Sequence, residues 1–370
     1  SIFPMAGPMA GTIAAPLYLL HFGADRTPWS HAILPRPRGT TAKGWFPHGE
    51  QWSPPADLCS KYYPALGPYR TDPKIIRQHL QMIRNSGINN IVVPFFLSSD
   101  EVQRLHPQTG FLLHGERGVD TMIPMLLNIA AEAGIQVSFL LPDWHGRGSV
   151  DSIAARIRYL VEAYGRHSAF YPLILVENPK LDSPQAVLAW IDLIESFEGA
   201  DAPIQLIATF QGQITLSSLQ QSGIHGVVVD VSEPAKAEIF ERAQKANLKT
   251  MVRISPGRDA TKIKPWASDQ VMDRRGGQTY RDAWDAALST AAQVVLIDSF
   301  NDWCAGTQIE PAAGKHTNEF KMSDRLCGTL LNGLGLPAEY SYPGYGNGDD
   351  PSRYIEITRE FTSRLKHISL

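Results

Sequence analysis

Charge is scarce in this chain. Only 19% of its 370 residues are Asp, Glu, Lys or Arg, below the quarter usual in globular domains. The 34 basic and 37 acidic residues leave a formal net charge of −3, with no basic block, so nucleic acid is not an expected partner. Cysteine is also sparse. Cys59, Cys304 and Cys327 are an odd number with no C-x-x-C spacing, which suggests neither a disulfide framework nor a zinc site. The 11 histidines include no H-x-x-x-H or H-x-H pair, so no metal is expected, and nothing in the sequence calls for another cofactor. No Asn has Ser or Thr two places on. Lacking a glycosylation acceptor, the chain leans towards an organelle matrix or the cytosol rather than the secretory lumen.

Long apolar runs are missing too. Ser1–Phe22 is apolar but is broken by Pro4, Gly7, Pro8, Gly11 and Pro16, short of the roughly 18–20 residues that a membrane-spanning helix needs. It lacks the basic start of a signal peptide, and a first residue of Ser1 suggests trimming. Residues 1–12 read as an N-terminal extension and 13–370 as one domain. No internal repeat is present, and no glycine-rich fingerprint follows the first strand, which disfavours an open dinucleotide-binding sheet.

What is there is a regular alternation. Strand-like apolar runs cover Ile13–Leu20, Asn90–Phe96, Gln136–Leu141, Leu173–Glu177, Ile204–Thr209, Gly226–Val231, Thr250–Ile254 and Val294–Ile297. Between and after them lie helix-length segments at Asp72–Asn85, Asp120–Ala133, Ser149–Tyr164, Pro184–Phe197, Thr215–Ser222, Ala235–Asn247, Thr279–Thr290 and Ser352–Leu365. Their apolar residues recur at threes and fours, as in Ile153, Ile157, Leu160 and Val161. Asp72-Pro73 and Ser183-Pro184 are helix starts with a capping side chain followed by proline. Strand-then-helix units in series imply a parallel (β/α)8 TIM barrel. Two long βα loops, Gly23–Tyr69 after the first strand and Gly306–Asp350 after the eighth, fall on the face where such barrels keep their sites.

The eighth strand opens into Ser299-Phe300-Asn301-Asp302-Trp303-Cys304-Ala305-Gly306-Thr307-Gln308-Ile309-Glu310. This resembles the S-F-N-E-W-x-E-G-T-Q-I-E stretch of glycoside hydrolase family 99, the endo-α-1,2-mannosidases and endo-α-1,2-mannanases. Tyr62-Tyr63-Pro64-Ala65-Leu66-Gly67-Pro68-Tyr69 is similar to the family's Y-P-x-L-G-x-Y, and Tyr164–Tyr171 to its Y-G-x-H-P-A-F-Y. Pro256-Gly257, Pro265-Trp266, Arg274, Gly277 and Tyr280 follow in family order, and Pro351–Phe361 matches its closing helix.

The resemblance implies two catalytic carboxylates. One would deprotonate the sugar's own 2-hydroxyl, and the other would serve as general acid. Asp302 stands at the first position, one methylene short, and Ala305 at the second, where it has no proton to give. Pro142 replaces the Glu expected after the third strand, and Phe95-Phe96 replaces a Trp-Tyr pair. Asp302 is therefore expected to cap its own loop by accepting backbone N–H groups. A residual sugar groove would draw on Phe95, Asp143, Trp144, Glu177, Asp230, Arg253, Trp266, Tyr280 and Trp303. Packing is the plainer role for the tryptophans and for Tyr62, Tyr63 and Tyr69, and Arg274 and Arg275 are expected to brace their loop. Together these losses point to a pseudoenzyme that serves as a structural or interaction subunit of a protein complex. Two readings stay open beside it: an active endo-acting α-mannosidase with a relocated acid, and a lectin-like oligosaccharide binder.

Overall fold

A computed structural model describes residues 13–20, 29, 52, 54–95, 120–142, 150–197, 204–209, 216–230, 234–290, 292–319, 339–346 and 350–368. Eight strands form one parallel sheet: β1 (Ile13–Pro16), β2 (Asn90–Pro94), β3 (Gln136–Leu141), β4 (Phe170–Glu177), β5 (Gln205–Thr209), β6 (Gly226–Asp230), β7 (Lys249–Ile254) and β8 (Val294–Ile297). β1 pairs with β8 in register, and the Leu17–Val92 bridge joins the β1 end to β2. Tyr18 N donates to the Val92 carbonyl there at 2.8 Å. The sheet thus curls into the expected barrel.

Helices alternate with the strands: α1 (Pro73–Asn85), α2 (Ile123–Ala133), α3 (Val150–Tyr164), α4 (Pro184–Glu195), α5 (Leu216–Gln221), α6 (Pro234–Lys245), α7 (Gln278–Leu288) and α8 (Arg353–Ile368). The two capping signals work as read. Asp72 accepts from Ile75 N at 2.8 Å, and Ser183 Oγ accepts from Ala186 N at 3.2 Å. α2 ends at Gly134 with φ at 65°, a left-handed turn that glycine adopts without a Cβ clash and that sends the chain straight into β3.

Because side chains alternate along a strand, the barrel has two apolar layers. Ala15, Leu17, Val92, Leu140, Leu173, Leu175, Ile207, Val228, Met251, Val294 and Leu296 form a cluster of their own. Drawn from all eight strands, it fills the lumen. The intervening residues, such as Ile91, Val93, Val137 and Phe139, join the larger cluster under the helices. The loop after β8 adds an antiparallel hairpin, β9 (His316–Glu319) with β10 (Glu339–Tyr342), absent from the sequence reading. Residues 1–12, the expected extension, lie outside the described residues.

Candidate functional site

The lumen layer shows what faces the mouth. Two residues beyond Leu175, Ile207, Val228, Met251 and Leu296 come Glu177, Thr209, Asp230, Arg253 and Asp298, which the period of two turns inward at the C-terminal ends of the strands. One hydrogen bond checks this. Arg253 Nη2 donates to Thr209 Oγ1 at 3.4 Å, although β6 separates their strands; only a path over the lumen allows that reach. Glu177 sits opposite Thr209 and Asp230 opposite Arg253 in strand register. Among the described strand ends, the mouth therefore carries the carboxylates of Glu177, Asp230 and Asp298 and the guanidinium of Arg253. Arg253 Nε is buried with no partner among the described residues. Arg258 reaches in from the loop after β7 and pairs with Asp298 at 3.2 Å.

Asp302 belongs to the tight turn that follows. Ser299 Oγ accepts from Asp302 N at 2.8 Å, and Asp302 Oδ1 accepts from Ala305 N at 3.0 Å. Ser299 N donates to the Thr307 carbonyl at 2.8 Å and closes the turn. Gly306 has φ at +68°, and a Cβ there would sit 2.8 Å from backbone atoms of Asp259, so glycine is what lets the two loops touch. Asp302 is partly buried. Burial pushes its carboxyl up to about 6, with the charge of Asp298 adding to the rise against the Ala305 N–H, Lys264 and Arg258. It is thus held closer to neutral pH than an ordinary carboxyl.

A second carboxylate, Glu310, lies under the same segment and is fully buried. Its Oε2 accepts from Tyr69 Oη at 2.6 Å and from Trp303 Nε1 at 2.7 Å. Its Oε1 lies 3.1 Å from His79 Nε2, while His79 Nδ1 lies 3.0 Å from Tyr18 Oη. A His79 protonated on Nε2 would donate to Glu310 and accept from Tyr18. Burial, then the charge of Glu310, holds Tyr69 far above the usual phenol range, so it remains a donor. Arg274, also buried, stacks beneath Tyr354, Tyr345 and Tyr62 at 4.5, 5.1 and 5.2 Å. It donates to the Gly306 and Gln308 carbonyls at 2.9 and 2.8 Å. It therefore braces the β8 loop rather than its own, while Arg275 pairs with Asp282 at 2.5 Å.

Several expectations change. Cys59 and Cys304 form a disulfide with Cα atoms 5.3 Å apart across a separation of 245 residues, where the sequence suggested none. The barrel brings the loops after β1 and β8 side by side, which spacing along the chain cannot reveal. Tyr280 is no groove residue: it is fully buried on α7, within 3.0 Å of Thr358 Oγ1 on α8 and against Trp284 and Tyr354. Phe95 turns outward onto Phe139 and Tyr159, because it continues the outward-facing set of β2. Trp303 is committed to Glu310 and packs on Trp29, centroids 5.9 Å apart. Trp266 is partly buried in a short helical turn after β7. Asp143 and Trp144 lie outside the described residues. Asp298, His79 and Tyr18 were not singled out from sequence. The signal for Asp298 was available, since it ends an apolar strand run with lumen parity.

A family model for glycosyl hydrolase family 99 matches residues 21–178 and 209–327. The chain belongs to that family. Among the relatives of this family 99 barrel, a human glycoprotein endo-alpha-1,2-mannosidase-like protein is 27% identical over 369 residues, covering 91% of this chain and 71% of that one. A mouse protein of the same description is 27% identical over 320 residues, 78% of this chain and 66% of the other. Rat glycoprotein endo-alpha-1,2-mannosidase is 26% identical over 363 residues, 91% of this chain and 70% of that one. The family 99 chain thus spans about two thirds of these relatives' lengths. An endo-alpha-mannosidase structure from Bacteroides thetaiotaomicron superposes with a TM-score of 0.72 at 23% identity, covering 96% of this chain and 97% of the other. The fold is shared throughout. Among the described residues of the family 99 chain, no helix is long and apolar enough to cross a membrane, and no group of three or more His, Cys, Asp or Glu could hold a metal.

Proposed function

We propose that this family 99 barrel engages an oligosaccharide of the α-mannose type at the mouth formed by Glu177, Asp230, Arg253 and Asp298, without using the family's second carboxylate position. The observation that carries the reading is the inward set of charged side chains on four strand ends, one of them a guanidinium with a single hydrogen bond, of 3.4 Å, among the described residues. A barrel kept only as architecture gains nothing from half-buried charges that must be desolvated. Glycan hydroxyls are both donors and acceptors, and they suit a mixed layer of carboxylates and guanidinium. The activity named for the rat relative, a glycoprotein endo-alpha-1,2-mannosidase, supports the sugar class.

A second reading, the pseudoenzyme that serves as a complex subunit, draws on a different observation. Phe95 and Trp303, candidates for sugar stacking, are both spent on packing, and Ala305 supplies no acid. The Cys59–Cys304 bond supports an oxidising compartment, against the lean towards matrix or cytosol. The two functional readings separate by titration calorimetry with an α-1,3-glucosyl-capped, α-1,2-linked manno-oligosaccharide. Binding that is lost in Arg253→Ala and Glu177→Gln supports the glycan-engaging mouth. No heat from the folded natural chain would sink it and leave the scaffold.

A further inference from the structure

We propose that Asp298 is a catalytic carboxylate of this barrel, paired with Asp302 at the mouth and supplying the second carboxyl that Ala305 cannot. The inference rests on the glycan-engaging reading above. Glycoside cleavage needs one carboxyl to protonate the leaving oxygen and one to assist at the anomeric carbon. Asp298 ends β8 with lumen parity and is 15% exposed. Asp302 lies four residues on in the same turn, with Oδ1 held by the Ala305 N–H and Oδ2 uncommitted among the described residues. Asp302 also feels the charge of Asp298, so the two share one electrostatic environment, whereas Glu177 and Asp230 stand on other strands.

Their surroundings differ in the way that acid and base roles require. Arg258 pairs with Asp298 at 3.2 Å, which sets a positive charge beside the carboxylate assigned as the base. Asp302 carries no such ion pair among the described residues, and burial pushes it up to about 6, which favours a retained proton. Among the described residues, the charges that act on Asp302 are Asp298, Lys264 and Arg258, and Arg253, Asp230 and Glu177 stand on the other strand ends of the mouth. In the step itself the bond from C1 to the glycosidic oxygen breaks, and that oxygen takes the proton of Asp302. Water gives a proton to Asp298 and its oxygen bonds to C1. The products are a reducing sugar and an alcohol, and solvent exchange restores both carboxyls.

The test follows release of a disaccharide by mass spectrometry from the capped manno-oligosaccharide, with calorimetric binding measured beside it. The natural chain is expected to release product. Asp298→Asn should lower kcat about 10²-fold or more, a larger loss than any it causes in affinity. Asp298→Ala, checked for an unchanged melting temperature, should regain part of the rate in added formate, a rescue that a merely structural residue would not give. Full release by folded Asp298→Asn would overturn the proposal. So would oligosaccharide binding by the natural chain with no release, which would leave the binding reading standing. Absence of binding would remove the binding reading as well.

Discussion

Asp302 and Glu310 lie in one segment, eight residues apart, yet their surroundings are opposite. Glu310 is fully buried and takes hydrogen bonds from Tyr69 and Trp303, with His79 on its other oxygen. Every partner comes from the fold, so the carboxylate is spent on joining α1, the loop before it and the β8 loop. Asp302 is partly exposed and its side chain takes one backbone N–H. A carboxylate with both oxygens tied to buried side chains is architecture, and one held closer to neutral pH with an oxygen uncommitted among the described residues is available for chemistry. The segment that marks the family therefore contains both kinds, and the motif alone does not tell them apart.

The comparison breaks most visibly at Glu310. Glu310→Ala would leave Tyr69, Trp303 and His79 as buried groups without their acceptor, and should cost about 3–5 kcal/mol, measured by urea denaturation. A loss below about 1 kcal/mol would mean that the knot does not bear on stability and that the contrast with Asp302 is empty. Next in size is the disulfide, which anchors the turn between the two carboxylates to the loop after β1. Replacing Cys59 and Cys304 together by Ser should cost about 2–4 kcal/mol, because the bond closes a long loop in the unfolded chain. Equal denaturation midpoints with and without dithiothreitol would refute that.

Much of the barrel was legible because its signals are local. Apolar runs such as Val294–Ile297 and helix punctuation such as Asp72-Pro73 and Gly134 need no knowledge of distant residues. The β9–β10 hairpin was not legible: each strand is four residues long, His316–Glu319 is polar throughout, and the alternation of Tyr340 and Tyr342 in the other is too short to mark a strand. The site was legible only in part. Glu177, Asp230 and Arg253 could be read as strand ends, and lumen parity would have added Asp298. The partners of Glu310 come from positions 69, 79 and 303, and no spacing rule connects them. Tyr280 misled because its motif spacing says nothing about which face of α7 carries it. Trp284, one turn on and also buried, marks that face as the one turned to the core.

The smallest expected effect sharpens the comparison most, because its sign depends on pH. Folding lifts the Asp302 carboxyl from 3.8 to about 6. Between these values the folded chain keeps a proton that the unfolded chain has released, so raising the pH through this window lowers stability. Asp302→Asn keeps an oxygen to accept the Ala305 N–H but has no charge to bury. The variant should therefore match the natural chain near pH 4 and gain on it as the pH rises to 7. After allowance for the partial exposure of the group, that gain should be about 1–3 kcal/mol. Urea unfolding of both chains at pH 4, 5, 6 and 7 measures the gap directly. A gap that opens with pH would mean that Asp302 is kept at a cost in stability, as residues held for function often are. A constant gap would mean that its proton is not held by the fold, and Asp302 would then join Glu310 as part of the architecture.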